Sequence, residues 1–176
     1  MKKSLQIAFS SMVTALSVVL MFLGGVFTVL TYIMPMISGV MMSLVKKTFG
    51  TSLAWVTYIA TALLSVFLVP NRECMIMFVA FFGFYPIIKS GLDKIKLKPL
   101  CFVLKLLIFN ALMSASQAAL FYIFQIPFTD EETTTVFIIL FAVLLNLMFI
   151  VYDKFLEKLL ILYERKFEKR IKKLFK

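Results

Sequence analysis

Histidine is absent from the 176 residues, and only two cysteines, one tryptophan and nine acidic residues are present. Each shortage excludes something. Without imidazole the commonest general base is missing. Cys74 and Cys101 offer too few ligands for a structural zinc site and make no disulfide framework. No Asp or Glu falls in the middle of an apolar segment, which argues against a paired-carboxylate protease and against an ordinary proton-relay carrier. Gly-rich phosphate loops, HExxH helices and GxSxG elbows are also missing. The chain therefore reads as a non-enzyme, with no cofactor and no metal.

Apolar residues dominate instead. The chain is 62% hydrophobic and 16% charged, with a mean hydropathy of +1.00, where a soluble domain has about 45–50% and about 25%. This composition predicts an all-α, polytopic membrane protein. Met1-Lys2-Lys3 leads directly into an apolar run that continues to about Val29, with no Ala-x-Ala site, so the run is expected to be a retained first helix.

Six apolar segments can be marked, at about Leu5–Val29, Thr31–Val45, Thr51–Val69, Cys74–Ile88, Leu100–Phe124 and Thr134–Tyr152. If the N-terminus is cytoplasmic, all but two of the nineteen Lys and Arg fall in inner segments: Lys2-Lys3, Lys46-Lys47, Lys89 to Lys98, and the stretch after Tyr152. Of the other two, Lys105 is expected to snorkel from the inner end of the fifth segment, and Arg72 lies outside. Asp130-Glu131-Glu132 occupies the last outer loop. The distribution of positive charge predicts six transmembrane helices with both termini cytoplasmic, in the cell membrane. The net charge of +10 is then explained by orientation and by contact with anionic inner-leaflet lipid, not by nucleic acid. The same topology separates Cys74, near the outer face, from Cys101, near the inner one. Asp93 and the C-terminal acids, surrounded by lysines, are read as solvated.

The second and fourth segments hold only about fifteen apolar residues, where ~20 span a bilayer. Both contain Gly and Pro: Pro35 and Gly39, then Gly83 and Pro86. Interrupted helices of this kind can mark a ligand cavity, or can be ordinary helices kinked at proline. The transmembrane unit is expected to cover residues 1–152. Residues 153–176 follow, where Leu156, Leu159, Leu160, Tyr163, Phe167, Ile171 and Leu174 recur at steps of three and four among lysines and arginines. That pattern predicts a basic amphipathic helix on the inner membrane surface or against a cytoplasmic partner.

The fifth segment is the expected centre. Asn110, Ser114 and Gln117 interrupt it at offsets of four and three, which stacks them on one helix face. Lipid cannot satisfy amides or hydroxyls, so this stripe should face protein or a water-filled cavity. It serves either as interhelical glue or as the lining of a ligand site. Outside, Pro70-Asn71-Arg72-Glu73 joins the third and fourth segments. Arg72 could clamp an anionic group and Glu73 could accept from an amine, or the two form a local ion pair beside a proline-led turn. Tyr32 and Tyr122 add aromatic walls or belong to the interfacial belt, as Trp55 does. On the first segment, Ala8, Ser11 and Ala15 form a small-residue face that lets another helix approach.

Six helices in a short chain, a lysine start, small residues along the first helix and a basic end resemble the substrate-binding (S) subunits of energy-coupling factor transporters. The stretches LLSVFLVPNRE, FFGFYPIIKSGLDKIK, LKLLIFNALM and VYDKFLEKLLILY also resemble a group of small uncharacterised bacterial membrane proteins. The first resemblance implies a substrate-capturing membrane subunit that relies on partner subunits with ATPases. Ala8, Ser11 and Ala15 would touch the transmembrane coupling subunit. The sequence departs from a strict Ala-x-x-x-Ala form at Ser11 and at Met12. The ligand candidates are Arg72, Glu73, Asn110, Ser114 and Gln117. The alternative is a non-transporting scaffold similar to the small rod-shape-determining membrane protein, in which the stripe is glue and the basic C-terminal helix is the working surface.

Overall fold

A computed structural model describes residues 3–27, 30–95, 97–124 and 135–166. The acidic loop Asp130–Glu132 and the tail residues Phe167, Ile171 and Leu174 lie outside them.

Every described element is helical: α1 Lys3–Val26, α2 Ile33–Phe49, α3 Thr51–Leu68, α4 Arg72–Met77, a π-helical turn Phe78–Phe82, α5 Tyr85–Leu92, α6 Lys98–Phe124 and α7 Thr135–Lys166. Several stretches are long and apolar enough to cross a membrane, namely Lys3–Val26, Thr51–Leu68, Arg72–Leu92, Lys98–Phe124 and Ile138–Tyr163. At 17 residues α2 is a little shorter.

Local chemistry sets the element ends. Thr31 Oγ1 donates to the Gly24 carbonyl at 3.2 Å and so satisfies a carbonyl in the last turn of α1. Pro35 lies within the first turn of α2, where a missing N–H is harmless. Gly50, at φ +99°, both closes α2 and opens α3, a conformation that a side chain would resist. Asn71 caps α4, its Oδ1 accepting from the backbone N–H of Glu73 at 2.9 Å and of Cys74 at 3.2 Å. The Gly83 N–H then reaches back five residues to the Phe78 carbonyl at 2.8 Å, the bond that makes the turn π-helical.

Successive long segments run in opposite directions, and contacts fix the two ends of the bundle. At one end the Phe9 ring lies 5.2 Å from Phe49, Thr48 and Tyr163 share a 2.6 Å hydroxyl bond, and Lys46 reaches the Ile87 carbonyl and Ser90. At the other, Asn71 approaches Thr31 at 3.5 Å and Arg72 stands over the Phe124 ring. Nearly all described lysines gather at the first end, so the bundle has one basic pole.

The fifth sequence segment, now α6, is not the centre. Arg72–Leu92 is the most buried of the apolar stretches at 61%, against 28% for α6. Phe78, Phe81, Phe82 and Tyr85 are fully buried. Phe78 belongs to a core shared with Met21, Met42, Val45 and Ala54 of α1–α3. Phe81, Phe82 and Tyr85 belong to a second core with Phe109, Phe149 and Tyr152 of α6 and α7. Phe81 stacks on Tyr85 at 4.6 Å, and Phe109 on Phe149 at 4.6 Å. The physical reason is aromatic density: the short, interrupted segment carries the bulk that both halves need, so it sits between them.

α7 runs unbroken through Tyr152 and Asp153. Leu156 and Tyr163 beyond that point are buried, so the described part of residues 153–176 packs onto the bundle through one apolar face.

Candidate functional site

The helical offsets read from the sequence place Asn110, Ser114 and Gln117 along one flank of α6. Its buried face is Phe109, Met113, Ser116 and Leu120. The flank borders a groove of about 310 Å³ whose opposite wall is Ile138, Phe141, Ala142, Leu145 and Asn146 of α7. At its floor Asn110 and Asn146 bond reciprocally, Nδ2 to Oδ1, at 2.8 and 3.0 Å. Each amide also donates to the carbonyl four residues back, Leu106 and Ala142, at 2.9 Å. All four amide hydrogens are thereby used.

Further along, Ser114 and Gln117 line the groove and have no hydrogen-bond partner among the described residues. An amide and a hydroxyl left over in an apolar wall retain bonding capacity that lipid cannot fill. The Tyr32 ring stands 6.3 Å from Phe141 and extends the wall. Tyr122 points away, at 79% exposure.

Arg72 and Glu73 do not join this set. Arg72 Nη1 donates to the Val66 carbonyl at 2.9 Å, and its guanidinium lies 5.5 Å from the Phe124 ring centroid. Phe124 is seven residues beyond Gln117, about 10 Å along α6. The two charged residues thus share an end of the bundle with the groove without lining it.

Ala8, Ser11 and Ala15 are exposed on α1. Ser11 and Ala15 line a shallow groove of about 360 Å³ between α1 and α3. Beside them Ser10 Oγ is buried with no hydrogen-bond partner.

A polar cluster of another kind occupies the basic pole. Asp153 of α7 accepts from Tyr85 Oη at 2.5 Å, from Lys89 and from Lys105 at 3.2 Å. Asp93 pairs with Lys105 at 2.5 Å and with Lys89 at 3.6 Å. Lys89 is 3% and Lys105 6% exposed. Asp93 and Asp153 are therefore bound partners and not simply solvated, and Lys105 does not snorkel to solvent. The reason is stoichiometric: two buried ammonium groups stay at a helix junction only with two carboxylates beside them. Sequence reasoning missed the cluster although a signal was present. Lys105 lies about one turn inside the basic end of an apolar segment, Lys89 and Asp153 directly follow the last residues of two others, and an ionisable group so placed asks for a named partner. Cys74 and Cys101 are both buried and free.

A comparison of the chain with known protein families, curated proteins and solved structures finds no match.

Proposed function

We propose that this chain is a six-span membrane protein whose α6–α7 groove captures a small polar molecule from the side opposite the basic pole. The observation that carries the reading is the pair Ser114 and Gln117, left without partners among the described residues in a groove floored by the Asn110–Asn146 amides. The positive pole supports an orientation with both termini cytoplasmic, and Lys154, Lys158 and Arg165 of α7 add positive charge at that face. Arg72 and Glu73 stand at the groove's outer approach, where they act on charge before the ligand settles. The chain has no ATPase of its own, and the exposed Ala8–Ser11–Ala15 face of α1 offers contact to a coupling subunit of the energy-coupling factor type.

Native mass spectrometry of protein purified in neutral detergent tests this. A small molecule should co-purify with the wild type and be lost from Gln117→Leu and Ser114→Val, both monodisperse. A wild type that carries no small molecule but holds a protein partner would turn the reading to a scaffold. A reporter fused after Lys176 checks the orientation: activity on the outer side overturns it.

A further inference from the structure

Lys46 stands outside the ion pairs of the charged cluster among the described residues. At the basic pole, α2, α5 and α7 enclose a cleft of about 360 Å³ bordered by Ser43, Lys46, Lys47, Lys89, Ser90 and Asp93. Asp93, its acid, already faces Lys105 at 2.5 Å and Lys89 at 3.6 Å. Lys46 donates to the Ile87 carbonyl and to Ser90 Oγ, both neutral. No carboxylate among the described residues reaches it. The Ser90 oxygen accepts that bond, so its own hydrogen stays available to donate. Burial first, and then the charge of Lys94, lowers the Lys46 pKa below the ordinary lysine value, as expected of an ammonium short of negative charge.

We infer that this cleft binds a phosphate oxyanion, held by Lys46 and Ser90 with Lys94 contributing field, at the end of the bundle remote from the α6–α7 groove. The phosphate belongs to an anionic phospholipid headgroup or to a soluble phosphate compound. A tetrahedral oxyanion accepts from several donors at once, which suits a cleft offering an ammonium and a hydroxyl from two helices. The inference does not depend on the groove being a capture site.

Delipidated protein in neutral detergent, titrated with dioleoylphosphatidylglycerol, with dioleoylglycerol and with inorganic phosphate and followed by native mass spectrometry, decides it. The wild type should retain phosphatidylglycerol in preference to dioleoylglycerol. Lys46→Gln should weaken that retention about fivefold, the effect of one lysine at a charged lipid surface, and Lys94→Gln should weaken it in the same direction. Lys154→Gln removes an exposed lysine outside the cleft and should bind as the wild type does. If Lys46→Gln fails to fold, Ser90→Ala, which removes the cleft's hydroxyl donor, carries the decision, with weaker phosphatidylglycerol retention expected. Retention of phosphate by itself, with displacement of the lipid, assigns the site to a soluble anion. Equal retention of the two lipids with no phosphate bound, or folded lysine variants indistinguishable from wild type, overturns the inference.

Discussion

α6 carries polar side chains at two levels, and the bundle treats them in opposite ways. Lys105 is enclosed and satisfied by two carboxylates from α7 and the α5 end. One and a half turns on, Asn110 meets a matching amide across the groove, and beyond it Ser114 and Gln117 border open space. The first level fastens three helices together. The second leaves a groove between two of them. A buried full charge cannot be left unpaired, whereas an amide or hydroxyl tolerates a vacancy for a fraction of the energy. The same helix is thereby a structural tie at its basic end and a candidate binding wall in its other half.

Charge removal should separate the two levels most sharply. Asp153→Asn leaves Lys89 and Lys105 with Asp93 alone and should destabilise the protein by about 3–5 kcal/mol, read as a shift in unfolding by SDS titration. Adding Lys105→Met should recover much of that loss; if the double variant is no more stable than Asp153→Asn, the cluster is not one electrostatic unit. Next comes Gly39→Ala, because a Cβ there would overlap the Phe82 carbonyl and lie 2.6 Å from Tyr152 Oη. Such overpacking costs about 1–3 kcal/mol, visible as a lower thermal midpoint in detergent.

Two tyrosines give a finer test. Tyr85 Oη donates to Asp153, while Tyr152 Oη is buried without a hydrogen-bond partner among the described residues. Tyr85→Phe should lose about 1.5–3 kcal/mol, the range for a hydrogen bond to a charged group, and Tyr152→Phe should be neutral or stabilising. Equal losses in SDS unfolding would mean that the carboxylate does not need the phenol. Smallest of all, a double-mutant cycle on Asn110→Leu and Asn146→Leu should yield a coupling near ~0.6 kcal/mol. A coupling of several kcal/mol would make the groove floor as structural as the charged cluster and erase the contrast.

Much of the architecture was legible beforehand because apolar runs and their punctuation report helices directly. The starts and stops of α1, α3 and α6 follow the segments read from composition to within a few residues, and the spacing of Asn110, Ser114 and Gln117 placed them together along one groove. What escaped was three-dimensional pairing. Asn146 is a lone amide in an apolar run and becomes meaningful only opposite Asn110. Lys89 and Asp153 are far apart in the chain, and each alone resembles an interfacial charge. The centre lies elsewhere for a related reason: the polar stripe Asn110, Ser114 and Gln117 marks the fifth segment in the sequence, but Phe78, Phe81, Phe82 and Tyr85 supply the buried volume. Arg72 and Glu73 were grouped with the stripe by topology alone, and a distance of two helical turns along α6 separates them.

The π-helical turn at Phe78–Phe82 also has a geometric corollary. One surplus residue in a winding turns all that follows by about 100° relative to an uninterrupted helix. Phe78 upstream looks toward α1–α3, while Tyr85 and Lys89 downstream look toward α6 and α7. Excising a single residue from this winding would swing Lys89 out of line with Asp153, so a backbone irregularity five residues long sets which neighbours the most enclosed apolar stretch can address.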